Sequence, residues 1–203
     1  MRFFYLLGLI SVVICFNFTD DQKIQNKKAN KGIPEVFLKV RTQANIKGDI
    51  NSIPKKYIGP NFVTKSYTVK RKTYYPKIKK HLFETGIASW YHDSLHNNMT
   101  SNGGYYHKYY LTAAHKTLPL PSIVMVTNKS NGKSIKVLVN DRGPFVGKRI
   151  IDLSRKAAEE LDFLNNGLAF VDVKYLHEET KDFIKNNLPE SEIKKASQVF
   201  ALL

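Results

Sequence analysis

The sequence predicts a mainly β domain, a small barrel of short strands accompanied by one or two short helices. Residues 123–128 are largely apolar and β-branched, and the dipeptide Asn131-Gly132 after them favours a tight hairpin turn. Residues 134–139 would return as the partner strand. Residues 168–175 alternate apolar and polar side chains, as a half-buried strand does. Short strands separated by turn signals favour a barrel over a bundle of helices.

Other segments of the chain fit the same class. Residues 86–91 combine small and aromatic side chains and predict a strand, and residues 111–115 predict a strand or an extended turn. The polar stretch between them predicts a loop. One short helix is expected after Ser154, because its hydroxyl is a suitable N-cap. Residues 67–76 predict an edge hairpin that ends at a proline.

The N-terminus has the pattern of a secretory signal. Met1-Arg2 precedes an uncharged apolar run from Phe3 to Phe18, and acidic residues follow at once. The run predicts an exported protein and leaves three alternatives open: a cleaved signal, an uncleaved anchor, or a lipid attached to Cys15. Cys15 is the only cysteine, so no intramolecular disulfide can form.

Charge is distributed unevenly along the 203 residues. The net charge is +15, to which residues 1–85 contribute +12 (17 Lys/Arg against 5 Asp/Glu), residues 86–177 contribute +4 (11 against 7) and residues 178–203 contribute −1 (4 against 5). A basic arm of this kind would be attracted to an anionic membrane surface or to another polyanion. A general bias of the composition towards Lys, Asn and Ile explains the charge equally well. Export argues against a nucleic-acid binder.

The changes of composition along the chain predict five parts. They are a signal peptide or membrane anchor (1–18), a disordered basic linker (19–56), an edge-strand lead-in (57–84), the β-barrel (85–177) and a C-terminal tail (178–203). In the tail, an amphipathic helix is expected around Phe183-Ile184, with a break at Pro189.

The stretch from Val137 to Ser154 contains the strongest candidate for chemistry. It predicts a buried strand, then a rigid polar turn containing Gly143 and Pro144, then the start of a helix. Asp141 lies where the strand meets the turn, so its carboxylate would be held by a backbone that cannot drift. Spacing alone explains Asp141 equally well as a residue that only hydrogen-bonds its own turn.

No metal site and no cofactor are predicted. Residues 92–96 have two histidines at the spacing of a zinc-binding helix, but the flanking residues are poor helix formers. Asp93 is also one carbon shorter than the glutamate of that motif. The chain has no Gly-rich phosphate loop and no serine or cysteine nucleophile motif.

Several motifs, in unbroken order, resemble the rare lipoprotein A family. They are Gly86 to Tyr91, Thr100-Ser101-Asn102-Gly103, Leu111 to Pro121, Val126-Thr127-Asn128, Asn131-Gly132, Asn140 to Phe145, and Arg149 to Ser154. The resemblance covers about residues 86–175 and implies a six-stranded double-psi β-barrel. It also implies a lyase that cleaves peptidoglycan glycan strands on the periplasmic side of a bacterial envelope, tethered to a membrane or lipid-anchored. We expect the protein to be monomeric.

The resemblance also assigns roles to individual positions. Asp141 matches the family's catalytic aspartate and His115 its functional histidine. The residues expected to bind substrate are Thr100, Asn102, Tyr105 and Arg142. The family's second acid, a glutamate directly after the Thr-x-Asn-Gly segment, is replaced here by Gly104.

The implied chemistry tolerates the loss of one acid. A lytic transglycosylase cleaves the bond between N-acetylmuramic acid and N-acetylglucosamine with the sugar's own 6-hydroxyl, which leaves a 1,6-anhydro end. One carboxyl can therefore act first as the acid and then as the base. We expect Asp141 to fill both roles, and the glycine at 104 to weaken catalysis. The alternative is a glycan-binding or cell-division-associated module on the same barrel with weakened catalysis.

Overall fold

The structure is a computed structural model that describes residues 49–202, and its centre is a closed barrel of six strands. The strands of the described chain are β1 (Tyr67–Val69), β2 (Lys72–Tyr74), β3 (Phe83–Trp90), β4 (Thr112–His115), β5 (Ser122–Asn128), β6 (Ser134–Asp141), β7 (Arg149–Leu153) and β8 (Leu168–Tyr175). Strands β3 to β8 close in the order β3-β7-β4-β6-β5-β8. The predicted six-stranded double-psi barrel is confirmed.

Helices lie before, within and after the barrel. The α-helices of the described chain are α1 (Lys55–Ile58), α2 (Arg155–Glu160), α3 (His177–Asn187) and α4 (Glu190–Phe200). Single 3-10 turns cover Ile50–Ser52 and Asp93–Leu95. Among residues 49–202, no helix is both long and apolar enough to cross a membrane. The expected signal or anchor, Cys15 and residues 19–48 of the expected basic linker lie outside the described residues. Residues 49–56 were also expected to be disordered, but Ile50 and Ile53 there are buried in the core.

The barrel core is built from the apolar strands recognised in the sequence. Residues 137–139 of β6 are fully buried, and so are Ile123, Val124 and Val126 of β5. The two strands pair in antiparallel orientation with Val124 opposite Val137. The turn between them contains Gly132 at φ 72°, a left-handed conformation that glycine adopts without a steric cost. β6 also pairs in parallel with β4, so that β6 is covered on both edges and its end is fixed.

Residues 149–153 differ from the expectation, because a strand and not a helix follows the polar turn. They form β7, which pairs with β3 in parallel and with β4 in antiparallel orientation. Ile151 and Leu153 point into the core and are fully buried. The alternation of this short segment is a weak local signal, and its two partner strands decide its conformation. The helix begins later, where Ser154 Oγ accepts a hydrogen bond from Ala157 N at 3.1 Å as the predicted cap.

The residues before the barrel pack against it and then form a separate hairpin. Ile58 is buried, and Val63 pairs with Leu120 in a single bridge, with N–O distances of 2.7 and 3.1 Å. This isolated bridge is the only β pairing of the segment between α1 and the hairpin among the described residues. β1 and β2 form the predicted hairpin around Lys70-Arg71, as a two-stranded sheet outside the barrel.

The C-terminal residues complete the core. Phe183 and Ile184 of α3 are buried, and Pro189 separates α3 from α4, as the sequence predicted for this part of the chain. The second helix, α4, was not predicted. Its Glu192 accepts a hydrogen bond from Phe62 N at 2.9 Å, which ties the tail to the segment before the barrel.

A cluster of aromatic rings joins that segment to the loop between β3 and β4. His107 is buried, and its ring centroid lies 4.5–5.7 Å from those of Tyr57, His96, Tyr109 and Tyr110. Burial, helped by the neighbouring His96, Lys108 and Lys56, lowers the pKa of His107 from 6.5 to about 4. The ring is therefore neutral in the folded protein at neutral pH.

We predict that acid destabilises the protein partly through His107. Because the folded-state pKa is the lower one, its contribution is complete above pH 6.5 and is lost as the pH falls towards about 4. Between these values the wild type should lose roughly 2–3 kcal/mol more of its free energy of unfolding than His107→Phe loses. Urea unfolding at several pH values measures the difference. His81→Gln, at an exposed position, is the control, and equal pH slopes for wild type and His107→Phe would contradict the prediction.

Candidate active site

Asp141 ends strand β6, and four hydrogen bonds hold its carboxylate. Oδ1 accepts from Ser101 Oγ at 2.6 Å, from Ser101 N at 2.9 Å and from Arg142 N at 2.8 Å. Oδ2 accepts from the hydroxyl of Tyr91 at 3.2 Å. One oxygen is thus saturated by donors, whereas the other has a single partner. Oδ2 is therefore the oxygen with capacity for a further proton or ligand.

Tyr91 follows β3 and presents its hydroxyl to the carboxylate. Burial, followed by the nearby carboxylates of Asp141 and Asp152, raises the pKa of Tyr91 well above 10. The phenol therefore stays protonated and donates its hydrogen bond. Its ring packs on that of Tyr106, with 4.7 Å between the centroids, so that the hydroxyl is held in place.

Ser101 lies in the tight turn formed by residues 100–104. Thr100 N donates to the carbonyl of Gly104 at 2.9 Å, and Gly103 N donates to the carbonyl of Thr100 at 3.0 Å. Ser101 is exposed, whereas Thr100 and Asn102 on either side of it are buried. The turn thus directs only its central side chain to Asp141.

Thr100 and Asn102, expected to bind substrate, are hydrogen-bonded within the protein. Thr100 Oγ1 donates to Asn102 Oδ1 at 2.9 Å, and Asn102 Nδ2 donates to the carbonyl of Ile58 at 2.8 Å. Both side chains are buried, at 5% and 0% exposure. They connect the turn to the segment before the barrel, and that segment separates them from solvent.

The same segment closes the position at which the resemblance expects a glutamate. A Cβ atom on Gly104 would meet Gly59 N at 2.7 Å and Gly59 Cα at 2.9 Å. Real Cβ atoms do not approach backbone atoms so closely, so a side chain fits only if the segment moves. The chain's own backbone therefore occupies this space, and Tyr91 and Ser101 are the side chains that contact Asp141.

His115 is buried at the end of β4, and both of its ring nitrogens are used. Nδ1 accepts from the backbone amides of Thr117 and Leu118 at 3.2 and 3.1 Å, and Nε2 lies 3.1 Å from Glu84 Oε2. With Nδ1 as the acceptor, Nε2 carries the proton and donates to Glu84. The hydrogen bond from His115 lowers the pKa of Glu84, against the opposing effect of partial burial. Within residues 49–202, no hydrogen bond joins the His115 ring to the Asp141 carboxylate.

Arg142 directs its guanidinium into the protein. Its Nη1 donates to the carbonyls of Leu118 and, at 3.4 Å, His115, and Nη2 donates to the carbonyl of Val63 at 3.2 Å. Burial lowers the pKa of Arg142 to about 10, although nearby Tyr67 and Asp141 oppose the shift. The side chain expected to bind substrate thus connects the barrel to the segment before it.

Tyr105 is the expected substrate-binding residue that remains accessible to a ligand. Its ring is half-exposed, and Lys56 Nζ lies 5.3 Å from the ring centroid. A cavity of about 330 Å³ lies beside it, lined also by Gly59, Gly103 and Pro189. Within the described residues, no group of three or more His, Cys, Asp or Glu residues is placed to hold a metal ion.

Sequence reasoning missed Tyr91 and Ser101. Both lie within motifs that carry the family resemblance, which gives neither of them a role. The sequence offered no local signal for either residue, because their contacts with Asp141 span 40 residues of the chain for Ser101 and 50 for Tyr91.

The chain is similar to proteins of known family. Residues 83–174 match the protein family described as lytic transglycolase. Curated relatives named endolytic peptidoglycan transglycosylase RlpA include that of Rickettsia bellii, 54% identical over 133 residues (64% of this chain and 59% of the relative). That of Rickettsia typhi is 51% identical over 142 residues (68% and 44%), and that of Neisseria meningitidis serogroup A is 52% identical over 113 residues (55% and 47%). The chain spans about half the length of the curated relatives it matches.

We predict that a side chain at position 104 destabilises the protein. Gly104→Ala places a methyl group against the backbone of Gly59 and should cost about 1–3 kcal/mol of unfolding free energy, as overpacking does. Gly104→Glu should cost at least as much. Urea unfolding measures both. Gly132→Ala is the control, since nothing lies within 4 Å of its Cβ and only the φ of 72° is unfavourable. If Gly104→Ala is no less stable than the wild type, the close packing of Gly59 on Gly104 is disproved.

Proposed function

The chain belongs to the rare lipoprotein A family, and from this premise we propose that it is a lytic transglycosylase of peptidoglycan. The substrate is the glycan strand, and the bond cleaved joins N-acetylmuramic acid to N-acetylglucosamine. Asp141 is the acid and the base. The observation that carries the proposal is the Asp141 carboxylate, partly buried at the end of β6, where it accepts hydrogen bonds from Ser101 and Tyr91.

The reaction proceeds through Oδ2 of Asp141. The protonated carboxyl gives its proton to the glycosidic oxygen as that bond to C1 of the muramic acid breaks. The carboxylate then takes the proton of the 6-hydroxyl, whose oxygen bonds to C1 and closes the anhydro ring. No water is consumed, and Asp141 ends protonated as it began. Because the nucleophile belongs to the substrate, a second protein carboxylate is not required for the atoms to balance.

The other expected residues support this centre in different ways. We assign His115 to positioning, because its ring hydrogen-bonds Glu84 and the 117–118 backbone while its carbonyl accepts from Arg142. Tyr105 is assigned to the binding of a sugar ring, since its half-exposed face borders a cavity. Thr100, Asn102 and Arg142 hold the turn and the preceding segment in place.

The location of the protein follows from its substrate. Peptidoglycan lies outside the cytoplasmic membrane, so the protein acts in the bacterial envelope on its extracytoplasmic side. The apolar run that ends at Phe18 is the element that would export or tether it, through an uncleaved anchor or a lipid on Cys15. The basic residues that follow would bind anionic lipid.

We predict that Asp141→Asn loses the activity. The amide cannot give and take the proton, so product formation should fall about 10²- to 10⁴-fold. The measurement is the yield of 1,6-anhydro ends from peptide-free glycan strands, by mass spectrometry. Asp162→Asn, at an exposed surface position, is the matched control. Equal product from Asp141→Asn and wild type would refute the proposed role. No product from the wild type would leave the glycan-binding module as the function.

We predict that Tyr91→Phe impairs catalysis more than folding. The variant keeps the ring that packs on Tyr106 and removes the hydroxyl that donates to Oδ2, so kcat should fall about 3- to 30-fold with KM little changed. Tyr109→Phe, a tyrosine of the same loop that does not contact Asp141, is the control. A kcat equal to that of the wild type would exclude Tyr91 as a positioning residue.

A further inference from the structure

The β1–β2 hairpin lies beside Asp141, although it precedes the family-matched residues 83–174. The Tyr67 hydroxyl donates to the carbonyl of Lys116 at 2.7 Å, which attaches the hairpin to the end of β4. The guanidinium carbon of Arg142, the residue after Asp141, lies 5.3 Å from the centroid of the Tyr67 ring. The hairpin is therefore a neighbour of the site, and its side chains can reach a bound polymer.

Three aromatic rings form a wall at this place. Tyr67 and Tyr74 stack across the hairpin, with 5.2 Å between their centroids and 16° between their planes. Phe145, four residues after Asp141, lies 6.1 Å from Tyr67 and 5.6 Å from Tyr74. We call Tyr67, Tyr74 and Phe145 the aromatic wall.

The wall remains partly open to solvent, unlike the tyrosines of the core. Tyr106 and Tyr175 are buried, at 4% and 3% exposure, whereas all three rings of the aromatic wall are half-exposed. Partly exposed rings next to a reactive carboxylate offer flat apolar surface to a ligand. The apolar faces of sugar rings are complementary to such a surface.

The Tyr67 phenol lies close enough to the charges of Arg142 and Asp141 to be affected by both. Burial raises the pKa of Tyr67, the charge of Arg142 opposes this, and the charge of Asp141 adds to the increase. Both charges act on the phenol because they lie close to it. The first tyrosine of the hairpin and the reactive carboxylate thus share one environment.

The tip of the hairpin is basic. Its two-residue turn is Lys70-Arg71, and Lys72 follows with its Nζ 5.4 Å from the Tyr74 ring centroid. Within residues 49–202, no carboxylate pairs with any of these three cations. Lys70 and Arg71 have φ values of 48° and 64°, where Gly and Asn are the favoured residues. Two long cationic side chains at such positions carry a backbone cost with no internal contact to offset it.

We propose that the hairpin and Phe145 form a glycan-binding arm next to Asp141. The aromatic wall stacks on amino-sugar rings of the strand, and the basic tip pairs with the carboxylates that its muramic acid residues carry when stem peptides are absent. The inference deepens the proposed function, because it names which part of the protein holds the strand that Asp141 cleaves. It places a substrate contact outside the barrel.

Binding to the full-length Asp141→Asn protein tests the arm without turnover. Tyr74→Leu and Phe145→Leu, each in that background, keep apolar volume and lose the flat ring. Each should weaken the binding of peptide-free glycan strands about 10-fold, in line with the loss of an aromatic contact. Tyr74→Phe retains the ring and should bind as the parent does. Tyr75→Leu, at the next residue and 62% exposed, lies outside the wall and is the matched control.

The basic tip is tested with two forms of the same polymer. Replacing Lys70, Arg71 and Lys72 together by Gln should weaken binding to native strands about 10-fold or more. Binding to strands whose carboxylates have been reduced to alcohols should be unchanged, because those strands carry no charge for the tip to pair with. An equal loss for both polymers, or no loss for either, would overturn the role of the tip. A thermal melt of each variant verifies that it is folded.

The outcomes separate this inference from the proposed function. If the wild type forms anhydro ends but Tyr74→Leu and Phe145→Leu bind as tightly as the parent, the arm is wrong and the activity stands. If the wild type forms no anhydro ends while both variants still bind 10-fold more weakly, the activity is wrong and the arm stands. If Tyr74→Leu does not fold, the binding of Phe145→Leu decides whether the arm contacts the glycan, because Phe145 belongs to the turn after β6 and not to the hairpin.

Discussion

The hydrogen bonds from Ser101 to the Asp141 carboxylate are the contact on which the candidate site depends. β6 is paired on both edges, so its last residue cannot shift, and the turn at residues 100–104 supplies two donors to one carboxylate oxygen. Tyr91 reaches the other oxygen from the end of β3. A carboxylate held from three places in the chain is preorganised, and preorganisation reduces the reorganisation needed during proton transfer.

The segment before the barrel is the second constraint on the site. It accepts a hydrogen bond from the side chain of Asn102 and places Gly59 against Gly104, so the turn that carries Ser101 is packed from outside the barrel. The glutamate that the family resemblance predicts has no room there. The absence of a side chain at Gly104 is what allows the segment to pack so closely against the turn. The proposed mechanism therefore uses one carboxyl and the substrate's own hydroxyl.

Local pattern predicted most of the barrel. The buried strands around Val124 and Val137 and the turn at Gly132 follow from β-branched runs and turn chemistry, which act over a few residues. β7 was not predicted as a strand, because both of its partner strands are distant in the chain. α4 was not predicted either, although it packs against the neighbouring α3. The role of Arg142 could not be predicted for the same reason as β7. Its guanidinium donates to three carbonyl groups that lie far from it in the sequence.

Consecutive residues were enough to identify the family and the apolar strands, and they made Asp141 the candidate for chemistry. The tertiary structure decided which side chains meet that carboxylate and which merely support the fold. Tyr91 lies 50 positions away in sequence, and the hairpin of Tyr67 and Tyr74 more than 60. Contacts over such separations are set by closure of the barrel and by packing at its rim. They brought Ser101 and Tyr91 to Asp141, and turned Thr100, Asn102 and Arg142 inward.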